Sequence, residues 1–155
     1  MTVNPIPQGY GGAIPYLSIR NAAAAIDFYK RAFGATELLR MTQPDGRVGH
    51  AELHIAGTVV MLADEFPEMD IRSPRALGGS PVTIHLYVED VDRFAARAVG
   101  AGLEVLRPIA DQFYGDRSGF FQDPFGHRWS FSTHKEDVPP EELHRRHETL
   151  AKQRS

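Results

Sequence analysis

Side chains 69 residues apart in this chain match in character: Leu17 with Leu86, Ile19 with Val88, Asn21 with Asp90, Gly57 with Gly126, and Leu62 with Phe131. The likeness is one of pattern, not identity. It still constrains the fold more than any other feature, because each half then reads as one module that buries its apolar face against the other. In each half an extended stretch, 13–20 or 82–88, runs into Asn21 or Asp90, whose side-chain oxygen suits the free N–H groups of a helix start. The first helix carries Ala22, Ile26, Tyr29 and Phe33 as one stripe and stops at Gly34. The second carries Val91, Phe94, Ala95 and Ala98 and ends at Gly100 and Gly102. Three extended stretches follow each helix: 36–41, 48–55 and 58–64, then 104–109, 118–123 and 128–133. Each half reads β-α-β-β-β.

The fold class is therefore α+β. Two tandem βαβββ modules form a curled mixed sheet around a groove, followed by a C-terminal helix. A single domain spans 1–155, with the first module at about 13–64 and the second at about 82–134. The segment 65–80 reads as a surface linker without a third element. Gln43-Pro44-Asp45-Gly46, Ala56-Gly57 and Phe125-Gly126 read as turns. The tail, 139–155, places Leu143, His147 and Leu150 on one helical face, able to dock on its own body or on a partner subunit.

Seventeen basic and 20 acidic residues, mixed along 155 positions for a net charge of −3, give no electrostatic footprint for nucleic acid or an anionic membrane. The absence of cysteine removes disulfides, zinc thiolates, iron–sulfur clusters and thiol nucleophiles. Imidazole, carboxylate, hydroxyl and amide remain. No apolar run approaches the roughly 20 residues of a membrane span, and the N-terminus lacks the pattern of a secretory signal, so a cytoplasmic location is expected.

Strand alternation separates core from chemistry. In 48–55, Ala51, Leu53 and Ile55 point to the helices, and Val48, His50, Glu52 and His54 point away. In 82–88, Val82, Ile84, Leu86 and Val88 form the helix side, opposite Thr83, His85 and Tyr87. The first strand adds Ile14, Tyr16 and Ser18 to the open side, and Trp129 faces the core. His50, Glu52 and His85 form the strongest chemical constellation, since imidazole and carboxylate on a shared face bind a divalent metal or move a proton. The bland alternative is the wet side of an antiparallel sheet. His54, His134, His144 and His147 read as surface residues and His127 as a satisfied loop histidine. In 111–117, Phe113 and Tyr114 could stack a planar ligand while Gln112 or Arg117 pairs its polar edge. Alternatively, Asp116 and Arg117 staple the loop to its own turn.

Several stretches, read together, resemble a known family: Pro15-Tyr16-Leu17, Ala25-Ile26-Asp27-Phe28-Tyr29-Lys30-Arg31-Ala32-Phe33-Gly34, His50-Ala51-Glu52-Leu53, Leu86-Tyr87-Val88-Glu89-Asp90-Val91-Asp92, Asp116-Arg117 and Asp123-Pro124-Phe125-Gly126-His127-Arg128-Trp129. They are similar to the vicinal oxygen chelate superfamily, which includes glyoxalase I, bleomycin-resistance and fosfomycin-resistance proteins and extradiol dioxygenases. Within it they most resemble the PhnB-like, glyoxalase/bleomycin-resistance branch. The resemblance implies paired βαβββ modules around a groove, frequently completed across a homodimer. It also implies four metal-ligand points in metal-dependent members, which fall here on Ile14, Met61, Thr83 and Ser130. None of these is His, Glu or Gln, and an isoleucine, a thioether and two hydroxyls make a poor site for a hard cation.

The leading expectation is a dimeric small-molecule-binding protein without a cofactor. Its groove is lined by Tyr16, His50, Glu52, Met61, His85, Tyr87, Gln112, Phe113 and Arg117. A second reading is a metal-dependent lyase, isomerase or dioxygenase-like enzyme with a divalent ion displaced to His50, Glu52 and His85. A third is a structural or regulatory module acting through the tail helix.

Overall fold

The computed structural model describes residues 2–155. The first module comprises β1 (Tyr16–Ile19), α1 (Ala22–Phe33), β2 (Thr36–Thr42), β3 (Val48–Ile55) and β4 (Thr58–Asp64). The second comprises β5 (Thr83–Tyr87), α3 (Val91–Ala101), β6 (Glu104–Asp111), β7 (Asp116–Gln122) and β8 (Arg128–His134). The tail forms α4 (Pro140–Gln153). Each module contributes a four-stranded mixed sheet, ordered β1-β4-β3-β2 and β5-β8-β7-β6, with β1/β4 and β5/β8 parallel and the other pairs antiparallel. The expected tandem βαβββ architecture is present.

The repeat is visible in the register. Tyr16 pairs with Met61 as His85 pairs with Ser130, both at the 69-residue offset. Ala51 pairs with Leu62 and Gly119 with Phe131, so β3 and β7 are related by 68. The second hairpin absorbs the difference with one more residue in its turn. The helix starts are also equivalent. A side chain at the end of the fourth strand accepts from the first helical N–H in both modules: Asp64 from Ala22 at 2.9 Å and Thr133 from Val91 at 2.8 Å. These bonds satisfy donors that a helix leaves orphaned, complementing the Asn21 and Asp90 caps.

One core serves both modules. Helices α1 and α3 pack together, and the apolar stripe of α1 reaches the second sheet. Phe33 lies 4.8 Å from Trp129 and 5.5 Å from Phe131, centroid to centroid, and Tyr29 lies 5.5 Å from Trp129. Burying side chains of this size contributes about 1.5–3 kcal/mol each. Asp123, itself buried, ties the contact down. Its Oδ2 accepts from the Tyr29 hydroxyl at 2.5 Å and the Trp129 indole at 2.9 Å, and its Oδ1 accepts from the Phe125 and His127 amides. Burial, reinforced by Asp123, holds the Tyr29 hydroxyl well above its ordinary pKa.

Several expected boundaries move. Strand β1 starts at Tyr16, not at 13, because Pro15 has no N–H for the ladder, although its carbonyl accepts from Met61. The 65–80 segment is not featureless: it folds into a short 3-10 turn (Pro67–Met69) and α2 (Pro74–Leu77), with Phe66 buried beneath the Arg47 guanidinium. Val48 belongs to the core and not to the open face, because a register irregularity between Met41 and Thr42 turns it inward. Val82, expected on the helix side, precedes β5 and is 63% exposed. Only 112–115 of the 111–117 segment form a turn, and Asp111, Asp116 and Arg117 belong to the ladder. No helix among the described residues is long and apolar enough to cross a membrane.

Candidate functional site

The face of the first sheet turned away from the helices carries the chemistry. Cross-strand neighbours share a face, so the register assembles a row across it: Leu39, Glu52, Met61 and Tyr16, with Met41 beside His50 in the next rung. On this row four side chains form a continuous hydrogen-bonded chain. The Tyr10 hydroxyl donates to Glu52 Oε2, Glu52 Oε1 lies 3.0 Å from His50 Nε2, and His50 Nδ1 lies 2.6 Å from the Tyr16 hydroxyl. The Tyr16 and His50 rings stand 5.3 Å apart and tilted. Glu52 is only 12% exposed, while Tyr16 is 54% exposed and faces solvent.

The protonation pattern follows from the partners. Hydrogen bonds from His50, and secondarily from Tyr10, hold the Glu52 carboxyl below the usual carboxylate range. An ionised carboxylate only accepts, so His50 Nε2 is its donor. Partial burial, and then the Glu52 charge, push the Tyr16 hydroxyl above its ordinary pKa. Tyr10 is pushed up mainly by its bond to Glu52.

Tyr16 also lines a cavity of about 760 Å³ between the edge strands β1 and β5. Ile14, Thr83, His85, Tyr87 and His127 share its wall. A site of this size suits a small organic molecule. On the β5 side, His85 Nδ1 meets the Ser130 hydroxyl at 3.0 Å and its ring stands edge-on to Tyr87 at 4.9 Å. Tyr87 donates to Asp116 at 2.7 Å, a bond that raises the Tyr87 pKa.

The structure divides the expected site residues into groups. Tyr16, His50, Glu52 and Met61 meet on one face, and His85 and Tyr87 meet Tyr16 across the cavity. His85 is not part of the His50–Glu52 pair. Among the described residues, no three His, Asp or Glu side chains are close enough to hold a metal ion together. Three residues sit elsewhere. Arg117 turns to α3, where Asp92 takes it at 2.8 and 3.0 Å, with Asp111 at 3.2 Å. Phe113 lies under the tail, 5.7 Å from the His147 ring, and its carbonyl accepts from Arg146. Gln112 reaches back to the Ala110 carbonyl. The staple anticipated for Arg117 is real, but its partners are on the helix and neighbouring strand. The loop histidine His127 is satisfied, meeting the Ser18 carbonyl at 3.0 Å.

The residue that the sequence did not point to is Tyr10. It lies in an arm without periodicity, and only the folded chain brings it within reach of a carboxylate 42 positions away. Leu39 and Met41, 38% and 56% exposed, carried a signal in their alternation, obscured by the irregularity between Glu37 and Leu39.

Comparison with known proteins agrees with this architecture. The model of the family described as the Glyoxalase/Bleomycin resistance protein/Dioxygenase superfamily matches residues 15–131. An uncharacterized protein of Mycobacterium bovis is 48% identical over 132 residues, covering 83% of this chain and 87% of its own. Among solved structures, TioX from Micromonospora sp. ML1 is 28% identical, with a TM-score of 0.63 over 83% of this chain and 100% of its own. The fosfomycin resistance protein FosX from Listeria monocytogenes shares the fold at 18% identity, with a TM-score of 0.60 over 86% of this chain and 97% of its own.

Proposed function

Because the chain belongs to the glyoxalase/bleomycin resistance protein/dioxygenase superfamily, we propose that it binds a small aromatic or amphipathic molecule in the groove beside Tyr16, holding it without a metal ion. Within the superfamily we place it in the PhnB-like, bleomycin-resistance type and as a homodimer. The observation that carries this reading is the polar chain Tyr10–Glu52–His50–Tyr16, set beside exposed apolar side chains and ending on Tyr16, which lines a cavity with room for a ligand. An apolar wall gives affinity through burial, and a few fixed polar groups orient what binds.

The side chains at the four expected ligand points do not fit a cation. Ile14 offers no donor, Met61 a soft thioether, and Thr83 and Ser130 neutral hydroxyls, the second already engaged by His85. A displaced site would need His50, Glu52 and His85 to converge. Instead, His50 and Glu52 bond to each other and to tyrosines, and His85 bonds to Ser130. Among the described residues this supports the metal-free reading over the metal-dependent one.

Isothermal titration with planar cationic and neutral aromatic compounds tests the proposal. Binding is expected at one site per chain, weakened at least about tenfold by Glu52→Ala for the cationic ligands, or about 1.4 kcal/mol. Equal binding by the variant and the parent would remove Glu52 from the site. Saturable binding that requires added divalent metal would overturn the metal-free reading.

A further inference from the structure

Resting on the groove-binding reading, we propose that Tyr16, His50 and Glu52 form a proton-accepting relay that selects ligands with an acidic hydroxyl, phenolic or enolic, and binds them as oxyanions. The relay operates with the His50 ring neutral. In the tautomer that donates Nε2–H to Glu52 Oε1 at 3.0 Å, His50 Nδ1 is an acceptor, and the Tyr16 hydroxyl, 2.6 Å away, donates its only proton to it. The oxygen of Tyr16, which lines the cavity, is then left with lone pairs alone. A ligand meets it only as a donor.

The step balances within these groups. The ligand O–H proton passes to Tyr16 Oη as the Tyr16 proton passes to His50 Nδ1, while the Nε2 proton stays on His50 facing Glu52. Tyr16 ends neutral, which suits a phenol whose environment disfavours its anion. The new positive charge sits on His50 between the Glu52 carboxylate and the tyrosine, and the ligand oxyanion accepts a hydrogen bond from Tyr16. Tyr10 donates to the other Glu52 oxygen, so the carboxylate is held from both sides. The remaining titratable groups around the cavity are His85, Tyr87 and His127, whose polar atoms meet Ser130, Asp116 and the Ser18 carbonyl respectively. Tyr87 bonds the Asp116 carboxylate directly, whereas in the relay an imidazole, His50, stands between a carboxylate and the cavity-lining Tyr16.

The test uses 4-nitrophenol, whose ionised form absorbs visible light, and 4-nitroanisole, its methyl ether without the hydroxyl. At a pH one unit below the free phenol's pKa only about a tenth of it is ionised in solution. The full-length protein is expected to raise the phenolate absorption of the bound probe to most of it, and to prefer the phenol over the ether by at least about tenfold. In H50Q, which keeps an amide beside Glu52 but takes no proton, and in Y16F, both the absorption and the preference are expected to disappear. Phenolate absorption that survives in H50Q overturns the relay. Binding of both probes by the parent with no phenolate also overturns it while leaving the groove reading intact, and binding of neither overturns both. Circular dichroism separates misfolding from loss of the relay. His50 lies on the open face of its sheet, outside the buried cluster, so H50Q is expected to keep the parent spectrum.

Discussion

Single residues decide how this molecule is held together, and Asp123 shows it most sharply. Four donors converge on a buried carboxylate: the Tyr29 hydroxyl, the Trp129 indole and two amides of its own turn. Removing the acceptor leaves every donor without its partner in a region closed to water, which costs far more than one hydrogen bond is worth. Asp123→Ala is therefore expected to lose about 3 kcal/mol or more in urea unfolding, whereas Tyr29→Phe, which deletes only one of the donors, loses about 1 kcal/mol. Equal losses would mean that Tyr29 carries the whole contact. The same scale explains Gly115. At φ 99° a side chain there is already strained, and a Cβ would sit 2.2 Å from the Glu136 carbonyl oxygen. Gly57, at φ 84°, has open space around it. Gly57→Ala is expected to cost about 1 kcal/mol from backbone strain alone, and Gly115→Ala distinctly more, with the chain after β8 displaced. Thermal melts of the two variants measure the difference.

At the scale of elements, the tail helix is held by charge more than by burial, since none of its residues is fully buried. Arg146 pairs with Glu136 at 2.7 Å and Glu142 at 2.9 Å and donates to the Phe113 carbonyl, and Arg145 adds a second bond to Glu142. These bonds, from Arg145 first and Arg146 second, bring the Glu142 carboxyl from 4.5 down to about 2. A carboxyl lowered on folding contributes stability that is present above its unfolded value and lost as pH falls toward the folded one. The Glu142 bonds lie within α4, whereas Arg146 also holds the Glu136 carboxyl, outside the helix, below its ordinary value. Docking of α4 is therefore expected to hold at neutral pH and to loosen as pH falls below the ordinary carboxylate range. Amide exchange in α4, corrected for intrinsic rates, should rise across that window before exchange in β3 or β8 does; simultaneous release would show that the ion pairs do not govern docking. The elements themselves were legible in the sequence because a repeated pattern reports each strand and helix twice. What escaped was set by the extra residue of an irregular ladder: period-2 counting puts Val48 beside His50, and the shift at Met41 and Thr42 buries it instead. Arg117 escaped for a related reason. Parity within a segment read as loop says nothing, and as the second residue of β7 it faces the helices and Asp92.

For the whole molecule, the question is whether two modules that look alike behave as two folding units. A repeat invites that view, and the sheets do not hydrogen-bond to one another in the strand orders β1-β4-β3-β2 and β5-β8-β7-β6. The side chains say otherwise. The buried cluster runs without a break from Leu17 and Ile26 through Tyr29 and Phe33 to Trp129 and Phe131, and Arg97 of α3 donates to the Arg31 carbonyl at the end of α1. Split apart, each module would expose the aromatic stripe it lends to the other. That is a larger loss than either sheet recovers from its own ladder, because a four-stranded sheet needs a covered apolar face to be stable alone. The half-site chemistry obeys the same logic. His50 and Glu52 are legible as a pair from their spacing on one strand, but Tyr10 and the facing β5 wall join them only when the arm and both modules are in place. Unfolding is therefore expected to be a single two-state transition, with Trp129 fluorescence reporting the second module and far-UV dichroism reporting both, at one common urea midpoint. A chain cut to residues 2–64 is expected to lack a cooperative transition. Two separated midpoints, or a cooperative melt from that fragment, would show that the shared aromatic core is not what joins the halves.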